Sequence, residues 1–464
     1  HQIGWGYDDT IWALIWWPER HGTTRQPAFA SWCQDQVGAA IVSADASRYL
    51  LQMWDASEPN FPVRSHVNPN ALILNAFGVP LTIDGVPGKS CTAFNYEDTW
   101  IERSNLGFQP VRTSFGAGCA GAHSVLLVDG WEGMHARSSY PQAALVEFDP
   151  ASVTADVTPL YRERWSDTMA VRRRSRLLSD RFWLIEDLAC FQQEHDLVAR
   201  WWMRPEVVAA PRGVAIETAE GIRLDLLPLL GPDDHCIRGV DGYPDRLDGR
   251  SLQIDFEQRA RIGRWLWLAV PRATRAVAID LAEAWQVAPD AAQAWDFSQA
   301  RRTLAESPRR LPLTQPAFML ADLPVAPRWW YRRTLHIDRS APRWLRLPAR
   351  LLEPALWING QPVDLSAHLT RLELIQIDVP LPSELCGDVE IILRTNCGVS
   401  QYAKENPGGS GFWGQPALLA ALPPLEPIEA AYAEGQIALQ IGPERWKIPH
   451  QLMPVPANNP VVKP

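Results

Sequence analysis

The chain has 464 residues, enough for two or three domains, and its 46% hydrophobic and 21% charged residues are the balance of an ordinary globular protein. Its net charge of −9 argues against nucleic acid and against an anionic membrane surface as partners, and admits an acidic polymer only through a local basic or metal-bearing pocket. No apolar run of about 18 residues predicts a membrane span, no signal peptide is evident, and the seven scattered cysteines form neither a zinc-ribbon nor a disulfide-framework pattern.

The first predicted element is a short buried helix. Apolar residues are dense from Ile11 to Trp17 and stop at Pro18. Trp5, Trp12, Trp16 and Trp17 would expose an apolar surface unless something covered it, which predicts a partner. The chain opens at His1, which is consistent with processing or with cleavage from a longer precursor. From residue 33 the pattern changes to strands of four to eight residues bounded by Gly, Pro or Asn: AAIVSA, RYLLQMWDA, NALILNAF, PLTIDG, HSVLLVDG, AALVEFD, RRRSRLLSD, RFWLIEDLA, DLVARWWMRP and onward to RWLWLAVPR. Ser179 and Asp180 stand at the turn of a predicted hairpin. About a dozen such strands across residues 33–297, with almost no helical periodicity, predict a large antiparallel β-sandwich. Residues 298–327 are rich in Pro and Arg and read as a surface linker. Residues 328–420 return to short strands, with a hairpin signal at Asn359-Gly360, and predict a second, smaller β-sandwich. Residues 421–464 add a strand or two and an extended tail.

Several polar residues stand at strand edges. In RSHVNPNALILNAFGVPLTIDG, His66 opens a strand and Asp84 closes the next; further on, His123 opens a third. Asn68 lies two residues after His66 and so points to the same side of an extended chain. Imidazole, carboxylate and amide oxygen together can hold a divalent metal or a carboxylated substrate, although on spacing alone a structural role is commoner. The run Arg172-Arg173-Arg174-Ser175-Arg176 alternates on a strand, with Arg172 and Arg174 on one face and Arg173 on the other. An exposed strand face and an anion-facing surface are both open readings. The 22 tryptophans suit sheet packing as well as stacking on sugars.

These landmarks resemble the β-sandwich of the heparinase II/III-like polysaccharide lyases. SHVNPNALILNAFGVPLTIDG matches that family's opening motif; Ala122-His123-Ser124 followed by VLLVDG matches the next; VTADVTPLY (153–161) and VRRRSRLLSDRFWLIEDL (171–188) match a strand and a basic strand that follow. The resemblance spans about residues 33–270 and implies a lyase of uronic-acid polysaccharides, in a secreted or periplasmic setting. It implies His66, Tyr96 and Arg64 as catalytic, Asn70 and Trp100 as substrate-binding, and Asn68, Asp84 and His123 as metal ligands. Tyr96 would be a phenolic acid or base and Trp100 a sugar platform, although ordinary loop and core packing are the commoner roles for such residues. Many members carry a second His where this chain has Asn68, which disfavours zinc and favours calcium or no metal. Family enzymes also carry an N-terminal α/α toroid. Residues 1–32 resemble its last helix, so the resemblance implies a separate or cleaved toroid chain as partner, with an acidic polysaccharide as substrate. The alternative is a non-catalytic carbohydrate-binding or structural subunit that keeps the fold. Residues 328–397, with WWYRRTLHID and ALWINGQPVD, resemble a galactose-binding-like β-sandwich.

Overall fold

The computed structural model describes residues 31–54, 69–82, 123–130, 143–240, 251–311, 328–396 and 411–456, apart from short stretches within these spans. The expected helix of residues 11–17 lies outside them. The chain is mainly β and divides into two units. The larger takes the described residues up to 218, then 222–272 and those from 425 onward; the smaller takes 220–221 and 273–424.

In the larger unit, β1 (Trp32–Gln34), β2 (Gly38–Val42), β3 (Arg48–Met53), β4 (Ala71–Ala76) and β5 (Val79–Pro80) form a five-stranded antiparallel meander. A ten-stranded sheet follows. It contains β6 (Leu126–Val128), β7 (Ala144–Asp149), β8 (Ser152–Asp156), β9 (Thr168–Leu178), β10 (Phe182–Met203), β11 (Val207–Val208), β12 (Val214–Glu217), β13 (Ile222–Leu230), β14 (His235–Val240) and β15 (Ser251–Ala273). Its main path runs β11-β12-β13-β15-β10-β9-β8-β7, with β14 beside β15 and β6 beside β10. The β9–β10 turn takes residues 179–181 and includes Ser179-Asp180, as the sequence predicts; both have positive φ, 51° and 54°, and the Arg181 N–H bonds the carbonyl of Leu178 at 3.0 Å.

The smaller unit places two sheets around one core. One runs through β16 (Arg275–Asp280), and the other begins with β17 (Trp285–Pro289), β18 (Arg310–Leu311) and β19 (Arg328–Ile337). The next strands are β20 (Trp344–Leu347), β21 (Ala349–Arg350), β22 (Leu352–Ile358), β23 (Gln361–Val363), β24 (Ile377–Pro380), β25 (Gly387–Asn396), β26 (Gly411–Phe412) and β27 (Ala417–Ala421). The sheet orders are β18-β17-β19-β25-β22-β23 and β16-β27-β20-β24, with β21 and β26 as a separate pair. Trp285, Trp329, Tyr331, Leu345, Leu356 and Leu418 fill the space between. The β22–β23 turn is Asn359-Gly360, again with both φ angles positive.

The last three strands, β28 (Ile428–Ala433), β29 (Gln436–Ile441) and β30 (Glu444–Pro449), return to the larger unit. Ile437 and Leu439 pack on Leu184, Leu266 and Leu268, so this small sheet covers one face of the ten-stranded sheet. The five-stranded meander covers the other, where Gln52 bonds Ser175. β10 is therefore buried from Phe182 to Phe191 without alternation, as expected of a strand covered on both faces. Trp183, Trp201, Trp202, Trp265 and Trp267 are all fully buried, which assigns them to packing rather than to sugar stacking.

The structure corrects several local expectations. β16 and β17, taken by the sequence pattern into the large sandwich, hydrogen-bond to β27 and β19 of the smaller unit. Residues 297–306, read as linker, form a helix, α2 in chain order after α1 (Thr158–Arg162). Its cause is visible in the chain: Asp296 accepts the N–H of Gln299, an N-cap bond of 2.7 Å, and Ala300 and Leu304, four apart, are buried. Helix α1 interrupts the stretch 153–161 that reads as one strand, because Pro159 cannot continue a ladder and suits the first turn of a helix.

Candidate functional site

Of the residues singled out above, Asn70 and His123 lie within the described part of the structure. Arg64, His66, Asn68, Asp84, Tyr96 and Trp100 lie outside it.

Asn70 and Ser124, the neighbour of His123, are bridged by Arg173. Arg173 sits in the middle of β9 on the face toward the meander and is 1% exposed. Its Nε and Nη2 donate to the two carboxylate oxygens of Asp187 on the neighbouring strand, at 2.6 and 2.7 Å. Its Nη1 donates to the backbone carbonyls of Asn70, 2.5 Å, and Ser124, 2.7 Å. One guanidinium thus ties the chain just before β4 to the chain just before β6. The fork geometry of arginine suits this, because the bidentate pair fixes the plane and leaves one nitrogen for carbonyls. His123, beside Ser124, is fully buried.

The exposed-face reading of the arginine run is overturned. Each arginine of the strand's centre has a carboxylate: Asp156 for Arg172 at 2.7 Å, Asp187 for Arg173, and Glu186 for Arg174 at 2.5 Å. Alternation places them on opposite faces as expected, but both faces are covered. On the far face, buried Glu186 also accepts from Arg264, 2.7 Å, and from the backbone N–H of Met453, 2.8 Å, and faces His450 Nε2 at 3.3 Å. Burial would raise its pKa, but the bonds from His450 and Met453 and the charge of Arg174 outweigh that and lower it.

Asn70 is held inside the protein in this arrangement. It is 4% exposed and has φ of 64°, a left-handed conformation that asparagine tolerates. Its Oδ1 accepts from Gln52 and its Nδ2 donates to the carbonyl of Ala155, so both ends of its amide are engaged inside the protein. Gln52 in turn accepts from the Ser175 hydroxyl at 2.6 Å. A cavity of about 10 Å³ lies beside Asn70, Leu126, Arg173 and Asp187, room for one water and far too small for a sugar ring.

Strand β6 collects the remaining landmarks. Tyr161, the last residue of the 153–161 landmark, donates its hydroxyl to the carbonyl of Leu126. Burial raises the pKa of that phenol well above its ordinary value, so it stays a donor. At the other end of the strand, Asp129 of the VDG sequence receives His195 Nδ1 at 2.8 Å, the Trp165 indole N–H at 3.0 Å and the backbone N–H of Asp196 at 3.0 Å. His195 was not legible as a partner from the chain, because its two carboxylates, Asp129 and Asp167, lie 66 and 28 residues away. Among the described residues no group of three or more His, Cys, Asp or Glu is placed to hold a metal ion. Of the implied metal ligands only His123 is described.

No family model matches the chain, and no curated protein sequence matches it. Among solved structures, the chain is similar to a heparinase III (TM-score 0.39, 14% identity, 55% of this chain and 40% of that one). It is similar to the heparan sulfate lyase HepC from Pedobacter heparinus (TM-score 0.37, 13% identity, 60% and 40%). A weaker match is the beta-glucuronidase of Faecalibacterium prausnitzii (TM-score 0.25, 11% identity, 40% and 41%). The chain spans less than half the length of each of these proteins. The relation is a distant one of fold.

Proposed function

We propose that this chain is the β-sandwich part of a lyase that cleaves a uronic-acid polysaccharide by β-elimination. The observation that carries the reading is the mutual contact of its sequence landmarks. Arg173 of the fourth landmark bonds the carbonyls of Asn70 and of Ser124 just before β6, and Tyr161, which ends the third, bonds the carbonyl of Leu126 in β6. The described residues of motifs that follow one another along the chain are thus bridged by these bonds.

The chemistry asks for a base, a donor to the leaving oxygen and a partner for the carboxylate. The C5 proton of a uronate becomes removable when the adjacent carboxylate is neutralised and the enolate-like state is stabilised. In this reading His66 or Tyr96 takes the C5 proton, the C5 electron pair forms the C4–C5 double bond, and the 4-O-glycosidic oxygen departs with a proton returned by Tyr96 or water. Arg64 or His66 balances the carboxylate and Trp100 offers a sugar platform. Asn68, Asp84 and His123 would hold a divalent ion, which supplies charge for the substrate carboxylate; the amide at 68 and the carboxylate at 84 suit calcium better than zinc. The reading calls for an α/α toroid beside this sandwich and for a secreted or periplasmic setting.

A second reading, a non-catalytic carbohydrate-binding or structural subunit, is favoured by one observation. The described polar centre is internally paired and its cavity admits no sugar. The test is native mass spectrometry of the protein from its source, joined to absorbance of unsaturated uronates on acidic polysaccharides. A species that carries a further toroid-sized mass of about 30–45 kDa, on the same chain or on a bound one, and that generates absorbance supports the lyase; a species of 52.1 kDa or more that yields no product supports the second reading.

A further inference from the structure

Strand β10 changes neighbours along its length. Its first half, Phe182 to Phe191, pairs with β9; Leu197 to Ala199 pairs with β6. Both neighbours run antiparallel to β10, so the end of β6 and the start of β9 meet at the changeover. His195 stands there, beside a register shift in the β10–β15 pairing. Its Nδ1 lies 2.8 Å from Asp129, one residue past the end of β6, and its Nε2 lies 3.1 Å from Asp167, one residue before β9.

Both ring nitrogens face carboxylate oxygens, which only accept. A neutral imidazole has one N–H and leaves one carboxylate facing a lone pair; the imidazolium satisfies both. Each carboxylate is also held by β10 backbone: Asp196 N–H donates to Asp129 and Gln193 N–H to Asp167, both at 3.0 Å. The ring is flanked by Phe191 and Trp165 and its side chain is 12% exposed. Other charges near this place among the described residues are Glu194 and Asp196 on β10, Arg259 on β15, which pairs with both, Arg162, which bonds the carbonyl of Thr168, and Arg164, which lies over the Trp165 ring. Burial disfavours the charged ring, but the hydrogen bonds and charges of Asp129 and Asp167 outweigh it, and the imidazole pKa stands above its ordinary value.

We propose that protonated His195 is a pH-dependent staple that joins the end of β6, the strand entered from His123, to the start of β9, the strand that carries Arg173. Loss of the proton breaks one side. The longer contact, to Asp167, is the side expected to open, and the start of β9 then frays from the changeover. The consequence for catalysis rests on the lyase reading; the staple does not.

The test uses the whole chain with ¹³C-labelled histidine imidazoles, titrated by NMR, and hydrogen exchange of segments 123–130 and 165–170 corrected for the intrinsic pH dependence. The expected result is a His195 midpoint above the ordinary imidazole value, lowered by about one unit in Asp167→Asn, with exchange of both segments rising through the same midpoint. His195→Gln, which offers one donor group and one acceptor, removes that pH dependence. A midpoint at or below the ordinary value in the unaltered protein, or exchange indifferent to it, overturns the proposal, and that measurement stands even where a variant fails to fold. Absence of lyase activity would sink the functional reading and leave these outcomes untouched.

Discussion

Arg173 and Asp187 form a two-pronged ion pair across β9 and β10, at 2.6 and 2.7 Å, with side chains 2% and 4% exposed. A buried pair of this kind adds little by itself, since desolvation of both ions offsets their attraction, but removal of one partner strands the other. Here the stranded partner would be Asp187, and the carbonyls of Asn70 and Ser124 would lose their donor. Arg173→Met is expected to destabilise the larger unit by about 3–5 kcal/mol, measured by chemical denaturation. Arg173→Met with Asp187→Leu is expected to recover the share due to the stranded carboxylate and to leave the cost of the two carbonyls without their donor.

Glu186 governs the acid side. Its folded pKa lies below its ordinary value, so the unfolded chain binds more protons there. Its contribution is fully present above the ordinary glutamate range and is lost as pH falls through the folded pKa. Thermal melts of Glu186→Gln are expected to show a lower midpoint at neutral pH and a shallower fall between neutral and acid than the unaltered protein.

His195 has the opposite sign. Its folded pKa is raised, so its contribution is complete below the ordinary imidazole range and is lost as pH climbs through the folded value. Melting temperature is expected to decline on the alkaline side, with a decline that His195→Gln flattens. An unchanged alkaline limb in the variant would assign the decline to other groups.

The smaller unit offers a backbone test. Gly360 has φ of 79° with no atom near the place a Cβ would occupy, so an alanine there meets strain but no clash. Gly360→Ala is expected to cost about 1–2 kcal/mol, read by denaturation. Asn359, at φ of 49°, also accepts the N–H of Glu390 at 2.8 Å, so Asn359→Ala is expected to lose both the turn preference and that bond.

Local chemistry was readable in the chain where it acts over a few residues. Ser179-Asp180 and Asn359-Gly360 announce their hairpins, and alternation along 172–174 assigns the arginines to opposite faces. What covers those faces was not readable, because the meander and the strands β28–β30 come from distant parts of the chain. The burial of Arg173 follows from that coverage and not from its neighbours in sequence. Helix α2 carried a signal, Asp296 with Ala300 and Leu304, that its Pro- and Arg-rich surroundings masked. The link of His195 to Asp129 and Asp167 had none, since it depends on where β10 changes partners. Of the site expected from the sequence, the contact that the structure describes is that between the segments of Asn70 and His123.

The proposed β-elimination depends on His66. The direct measurement is absorbance of unsaturated uronates by the protein purified from its source with whatever chain accompanies it, compared with the same preparation carrying His66→Ala. Product is expected from the first and a loss of about two orders of magnitude or more from the second, the share that general acid–base catalysis supplies. Equal rates from the two would contradict the role of His66, and no product from the unaltered protein on any acidic polysaccharide would contradict the lyase itself.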